Sequence, residues 1–277
     1  VNRFKFFLAC LLLAISATVI TLPYFLKPAA FPTFPLPGEA SATKNHIAAR
    51  RTEICQKLIA CHNRRPPSAL LVEISAADAS SLLAAYREQP VRLRRGLAWG
   101  LGYLASDEAA AALIRGLTDD VTSQLLTLEE ETMLLEHLLA LGFAAEKSDT
   151  AFIFLRQATD EEFWQRTRAW LSTRDKISDR SPIYFALQGL GLSGRPEAKA
   201  FLESCRQRDE GWRYRYASSV VQGLFYLAMR ERYGAAVFRR DFTALDSWSK
   251  WEEWRQGDGR EWVEWADSCR RGKRMWP

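Results

Sequence analysis

Histidine is scarce in this chain: His46, His62 and His137 are the only three, and none forms an HxxxH or HExxH pair for metal binding or proton shuttling. The five cysteines include no pair at zinc-ligand spacing, and Cys55, Cys61 and His62 come nearest to a cluster. Five residues separate Cys55 from Cys61, which excludes the two-residue spacing of a c-type haem attachment. No phosphate-binding loop is present, and Ser193 in LSGRP lacks the preceding Gly-x of a nucleophile elbow. Neither sign of charge dominates. The 38 basic and 33 acidic residues leave a net charge of +5, without the heavy basic excess of dedicated nucleic-acid binders. The sequence therefore offers no catalytic residue, no cofactor-binding or metal-binding residue, and no nucleic-acid partner.

One long stretch lacks charge altogether. Phe6 to Leu26, FFLACLLLAISATVITLPYFL, has 21 residues and none of them is Asp, Glu, Lys or Arg. At 1.5 Å per residue it extends about 30 Å as a helix, the thickness of a bilayer core. Residues 1–27 are thus expected to form a single membrane anchor. A cleaved secretory signal is the alternative, with an apolar region over Phe6–Leu13 and small residues at Ala14 and Ser16, but it would leave TVITLPYFL on the mature chain. Lipidation at Cys10 fits less well, because Phe7 and Leu8 stand where an aliphatic and a small residue are usual. Arg3 and Lys5 precede the span, so the positive-inside bias places the N-terminus in the cytoplasm and the rest of the chain outside. The opening Val fits a translated alternative bacterial start codon, pointing to a bacterial inner membrane and a periplasmic domain. Pro28, Pro32, Pro35 and Pro37 then suggest a semi-extended linker over residues 28–44.

From Asn45 onward strand-like alternation is almost absent, and 48% hydrophobic residues suffice for a full core. Ile47, Ile54, Leu58 and Ile59 recur at helical spacing, and Pro66-Pro67 ends this first helical region. A phrase then returns three times: AWGLGYLASDEAAAALI from Ala98, LLALGFAAEKSDTAFIFL from Leu138, and LQGLGLSGRPEAKAFL from Leu187. Each copy reads as an apolar helix with an internal Leu-Gly, a polar break, and an Ala-rich helix. Gly102, Gly142 and Gly191 are 40 and 49 residues apart, in the range of two-helix repeats. A degenerate fourth copy runs from Val220 to Phe238. Thr127 with Glu130 and Thr159 with Glu162 have capping-box spacing, and Ser181-Pro182 suits an N-cap followed by the first helical residue. Gly102 and Ala111 would let neighbouring helices approach closely.

These phrases resemble the HEAT-repeat and HEAT-like families over about Leu93 to Phe238. The resemblance implies an all-α solenoid of stacked hairpins over residues 45–240, acting as a scaffold or binding surface. Long inserts such as Gln157 to Arg180 depart from a regular array. AKAFLESCRQRDEGW, Ala198 to Trp212, resembles instead the glutamine-tryptophan motif of alpha/alpha-toroid terpene cyclases and prenyltransferases through Gln207, Gly211 and Trp212. Such enzymes need clustered carboxylates, and Asp119-Asp120 followed by Val-Thr-Ser supplies none. A lyase of HEAT-like type is the other enzymatic alternative.

Two regions carry candidate recognition residues. Arg92, Arg94 and Arg95, with Arg64 and Arg65 upstream, form a basic region suited to an anionic partner or to a solvated helix face. Glu129, Glu130 and Glu131 read as first-turn residues favoured by the helix dipole. Six of the ten tryptophans fall between Trp248 and Trp276, and residues 241–277 read as a Trp-rich cap with a basic tail. Trp248, Trp251 and Trp254 step about 300° along a helix and so share one side with slow drift. Trp251, Trp254, Trp262 and Trp265 either pack over the last repeat or form an interface; a glycan platform is a further alternative. A bridge between Cys205 and Cys269 is one reading, but four buried free thiols are the simpler one. The combined expectation is a non-enzymatic, membrane-anchored scaffold or adaptor for an envelope protein complex.

Overall fold

The computed structural model describes residues 37–118, 128–167 and 181–272. Among them are fourteen α-helices and no strand, so the protein is all-α. The helices are α1 (Pro37–Ala60), α2 (Ser68–Val72), α3 (Ala79–Glu88), α4 (Arg95–Leu104), α5 (Asp107–Thr118), α6 (Leu128–Ala144) and α7 (Asp149–Gln157). They continue as α8 (Glu161–Thr167), α9 (Pro182–Ser193), α10 (Pro196–Ser204), α11 (Glu210–Tyr233), α12 (Ala235–Leu245), α13 (Trp248–Gln256) and α14 (Arg260–Gly272). Contacts divide the chain between Ile47 and Ala48, and α2 to α14 all belong to the second unit. None of the described helices is long and apolar enough to cross a membrane. The expected anchor at Phe6–Leu26 lies outside the described residues. The expected linker 28–44 is revised at its end: Pro37, tolerated in the first turn of a helix, opens α1.

The repeated phrase folds into hairpins. In each copy the Leu-Gly segment forms the first helix, α4, α6 or α9, and the Ala-rich segment forms the second, α5, α7 or α10. α4 packs on α6, α6 on α9, and α9 on α11, while α5 and α7 pair in a second layer. The glycines set the spacing within the first row. A Cβ on Gly102 would lie 2.4 Å from the Ala140 carbonyl oxygen, one on Gly142 would lie 2.4 Å from that of Gly189, and one on Gly191 would lie 2.2 Å from that of Gly223. Backbone thus meets backbone, which explains why glycine is kept inside helices at a cost of about 1 kcal/mol each relative to alanine.

A polar ladder runs alongside, at the breaks between paired helices. Ser148 caps α7 by accepting the Ala151 N–H, and its hydroxyl donates to Asp107 of the preceding copy at 2.5 Å. Arg195 of the next break donates to the Ala145 carbonyl and to Asp149. Arg230 in turn donates to the Leu192 carbonyl at 2.8 Å. Arg195 and Arg230 thus satisfy carbonyls at the C-terminal ends of α6 and α9, while Ser148 ties the start of α7 to that of α5.

Local signals account for most boundaries. Ser181 accepts the Ile183 N–H with Pro182 in the first turn, and Gly194 at φ 67° ends α9. The Thr159–Glu162 capping pair does not form. Thr159 is buried and its hydroxyl donates to the Arg156 carbonyl at the end of α7, so Asp160 accepts the Glu162 N–H instead. Thr127 lies outside the described residues. Glu129, Glu130 and Glu131 fall in the first turn of α6. Ile54 and Leu58 are buried as their spacing predicts, whereas Ile47 is exposed.

The fourth copy departs from the hairpin. It supplies the expected glycine, Gly223, but α11 runs unbroken for 24 residues, and Gly234 at φ 79° then turns the chain. α12 folds back to reach α2, where Thr243 and Ser68 share a hydrogen bond of 3.1 Å. Phe238 and Phe242 of α12 are fully buried beside Phe143, and Phe242 also meets Trp99 and Tyr226. The boundary expected between residues 240 and 241 therefore cuts through a core helix.

Gly191→Ala tests the backbone row directly. In an open helix the change gains about 1 kcal/mol; here the clash with the Gly223 carbonyl reverses the sign and costs about 1–3 kcal/mol. Thermal unfolding should show a midpoint lowered by about 2–4 °C per kcal/mol, and an unchanged or raised midpoint would mean that α9 and α11 part freely.

Candidate functional site

The basic region at Arg92–Arg95 is not a continuous surface patch. Arg92 is exposed, in a single 3-10 turn, Val91–Leu93. Arg94 donates its Nε to the Gln89 carbonyl at 2.7 Å and lies 5.0 Å over the Tyr86 ring. Arg95 grips Glu136 of α6 through two hydrogen bonds, and the Trp99 indole N–H donates to the same carboxylate at 3.1 Å. Arg65 pairs with Asp246 at 2.8 Å and covers the rings of Trp99 and Phe242. Sequence spacing cannot reveal these roles, because the partner carboxylates lie 41 and 181 positions away.

Carboxylates that approach the aromatic core are likewise engaged. Glu146 binds Arg230 at 3.1 Å and Arg239 at 2.7 Å. Burial pushes its carboxyl up, but Arg230 and Arg239 together outweigh that and hold it below the ordinary carboxylate range. Arg239 also donates to the Tyr103 carbonyl, and the Tyr103 hydroxyl donates to the Arg239 carbonyl at 2.8 Å. Burial raises the Tyr103 hydroxyl to about 12 despite Arg239. Among the described residues there is no group of three or more His, Cys, Asp or Glu side chains placed to hold a metal ion.

The four cysteines beyond Cys10 are free, so Cys205 and Cys269 form no bridge. Cys205 is buried and its thiol is pushed up to about 11, chiefly by desolvation. Cys269 is half-buried rather than buried. Of the toroid-like motif, Gln207 is exposed in a 3-10 turn, whereas Trp212 is buried 5.2 Å from Tyr216 with Arg208 over its ring.

The tryptophans divide by role. Trp251 and Trp254 pack on Phe225 of α11 with centroids 5.3 and 5.6 Å away, and Trp254 is buried. Trp254 is therefore a core anchor rather than an exposed contact residue. Gly259 permits the tight turn into α14, since a Cβ there would strike the Trp254 ring at 2.4 Å. Trp262 and Trp265 are half-buried on α14, with the Arg206 guanidinium 3.6 Å over Trp262. Trp248 is 72% exposed. Two steps of drift carry it about 120° from Trp254, off the buried side. Trp276 lies outside the described residues.

A groove of about 760 Å³ opens between α10 and the α13–α14 turn, across α11. Leu224, Leu227 and Ala228 form its floor with Trp254 and Trp262 beside them. Two basic residues reach it, and both are paired: Lys199 with Glu231 at 3.0 Å and Arg232 with Glu253 at 2.7 Å. Glu203 and Asp258 complete the rim, are exposed, and make no ion pair among the described residues. The groove thus brings together Trp254 and Trp262 of the anticipated contact residues, with acidic side chains that sequence reasoning missed. Arg92, Arg94, Arg95, Trp251 and Trp265 do not line it. The overlooked signal was the stripe Leu224, Leu227, Ala228, Glu231, which extends one face of α11 past its glycine. A second depression, about 660 Å³, lies among Ile153, Arg156, Phe163 and Phe201, where Arg156 already stacks on Phe201.

Comparison with protein-family models, curated proteins and solved structures finds no match to this chain.

Glu146→Gln should lower stability at neutral pH by about 3 kcal/mol by leaving Arg230 and Arg239 without their counter-charge. Because the native carboxyl ionises at lower pH than its unfolded counterpart, its contribution is full above the unfolded pKa and fades as pH falls through the native one. Urea unfolding at pH 7 and pH 3.5 should show the gap to wild type narrowing at the lower pH; a constant gap would assign the loss to packing instead.

Proposed function

We propose that this protein is a non-enzymatic scaffold or adaptor of HEAT-like solenoid type, held at a bacterial inner membrane by residues 6–26 with its helical part in the periplasm. One observation carries the reading: the glycine-bearing first helices of successive copies lie side by side with their backbones touching. In a stacked-hairpin protein each unit contributes cover to its neighbours, and the surface left over is free for recognition. The chemistry agrees with a binding role. Glu136, Glu146 and Asp246 are each bound to arginine, so their acidity is committed to holding helices together.

Recognition falls to the C-terminal end. α12 fills the aromatic face beside α4 and α6 that an open array would offer to a partner. The α10–α13 groove remains accessible, and its rim can be altered without touching the core. Trp251 and Trp254 are unsuited to that purpose, because truncating either removes packing on Phe225.

The anchoring half of the proposal is checked by alkaline carbonate extraction of membranes from cells expressing the full chain, followed by protease treatment of spheroplasts. Retention in the pellet together with cleavage from the outer side is the expected result; release by carbonate, or protection of the helical part, overturns it. The adaptor half is checked by quantitative co-purification from detergent-solubilised membranes, comparing wild type with Glu203→Lys/Asp258→Lys. A specific set of envelope proteins should accompany wild type and fall at least fivefold with the variant. Absence of any stoichiometric companion of wild type would refute an adaptor role.

A further inference from the structure

The groove across α11 has a polarity opposite to that of the whole chain, whose net charge is +5. Its two basic lining residues are paired with Glu231 and Glu253, while Glu203 and Asp258 are exposed and make no ion pair among the described residues, so the lining holds four carboxylates against two cations. Lys250 adds a second cation to Glu253 at 3.2 Å and Arg232 also acts on Asp258 at longer range, so the groove keeps a small negative excess, with Glu203 its carboxylate without a cation partner among the described residues. Glu203 comes from the last turn of α10 and Asp258 from the turn between α13 and α14. Leu224, Leu227, Ala228 and Glu231 follow the helical i, i+3, i+4, i+7 pattern, and these eight positions extend about 11 Å along the axis.

We infer that this groove receives a basic amphipathic segment of a partner protein, with lysine or arginine side chains meeting Glu203 and Asp258 and an apolar face meeting Ala228 and Trp262. Charge complementarity selects the occupant. An acidic segment would place like charges against a lining that already carries a negative excess, and an uncharged apolar one would leave Glu203 without a counter-ion. A helix is the suitable shape, because a lining that combines two turns of one face of α11 with residues of α10 and of the α13–α14 turn suits helix-in-groove recognition. The inference rests on the scaffold reading for its premise that the site faces a macromolecule, and it adds the chemistry of that macromolecule. It also reverses the expectation drawn from Arg92, Arg94 and Arg95: the partner is cationic at this site.

Model peptides provide the test. The detergent-solubilised full chain is titrated with a fluorescein-labelled 18-residue amphipathic helix of leucine and lysine, and with its leucine and glutamate counterpart. Wild type should bind the lysine peptide with a change in tryptophan emission, since Trp254 and Trp262 border the groove, and affinity should fall as salt is raised. Glu203→Lys/Asp258→Lys should weaken the lysine peptide at least tenfold and strengthen the glutamate peptide, with the thermal midpoint unchanged because both side chains are exposed. Equal binding of the lysine peptide to wild type and variant, or no binding to wild type, overturns the inference. In that case co-purified envelope proteins that persist with the variant would still leave an adaptor acting through another surface, so the two failures are distinguishable.

Discussion

Close approach of helix backbones at Gly102, Gly142 and Gly191 is the constraint on which the rest of the structure depends. At those points a single Cβ would come within 2.4 Å or less of a neighbouring carbonyl oxygen, so the first helices of adjacent copies have essentially one permitted separation. With that separation fixed, the breaks at the helix ends come into register. Ser148 then reaches Asp107, and Arg195 reaches Ala145 and Asp149, as short polar contacts rather than long surface pairs. Wider spacing would break both ladders together. The glycine cost in helix propensity is therefore offset twice, by dispersion contacts along the row and by satisfied polar groups at its edge.

A row of helices leaves an apolar face that something must cover, and here the chain covers it with itself. Phe238 and Phe242 of α12 meet Trp99, Phe143 and Tyr226 from three different helices. Arginine supplies the edges of this aromatic layer: Arg65 lies over Trp99 and Phe242, and Arg239 over Tyr103 and Phe143. A guanidinium can stack and pair at once, which lysine does poorly. That explains why Asp246 and Glu146 stand beside the layer. They neutralise arginines whose planar faces are already in use.

How much of this was legible follows from the range of each interaction. The hairpins were readable because helical periodicity, the Leu-Gly pair and the Ser181-Pro182 start are local signals. The touching of those glycines was foreseeable only as a tendency for small residues, since the partner atoms belong to the next copy. The role of Arg95 was hidden for the same reason: from the sequence it is one of a basic run, whereas Glu136 lies 41 positions away; Arg94 instead turns back on the Gln89 carbonyl and the Tyr86 ring. Thr159 shows the converse. The spacing to Glu162 was right, but the hydroxyl found the Arg156 carbonyl behind it, leaving the cap to Asp160. The return of α12 had no local signal beyond Gly234, which reads equally well as an ordinary break.

The C-terminal tryptophans show why capping and recognition need not be alternatives. α11 ends the row, so its outer face must be covered by something other than another hairpin, and Trp251 and Trp254 perform that task against Phe225. Two short helices joined by the Gly257–Gly259 turn cannot cover 24 residues of α11 completely. The part left accessible includes Ala228 and Glu231, next to the buried Leu224 and Leu227, bounded by whichever side chains occupy the neighbouring helix ends. Those ends carry Glu203 and Asp258, and the basic lining residues Lys199 and Arg232 are paired with other carboxylates. The groove and its acidity are thus consequences of how the row is terminated, and a cationic partner would complete the cap that the chain itself leaves open.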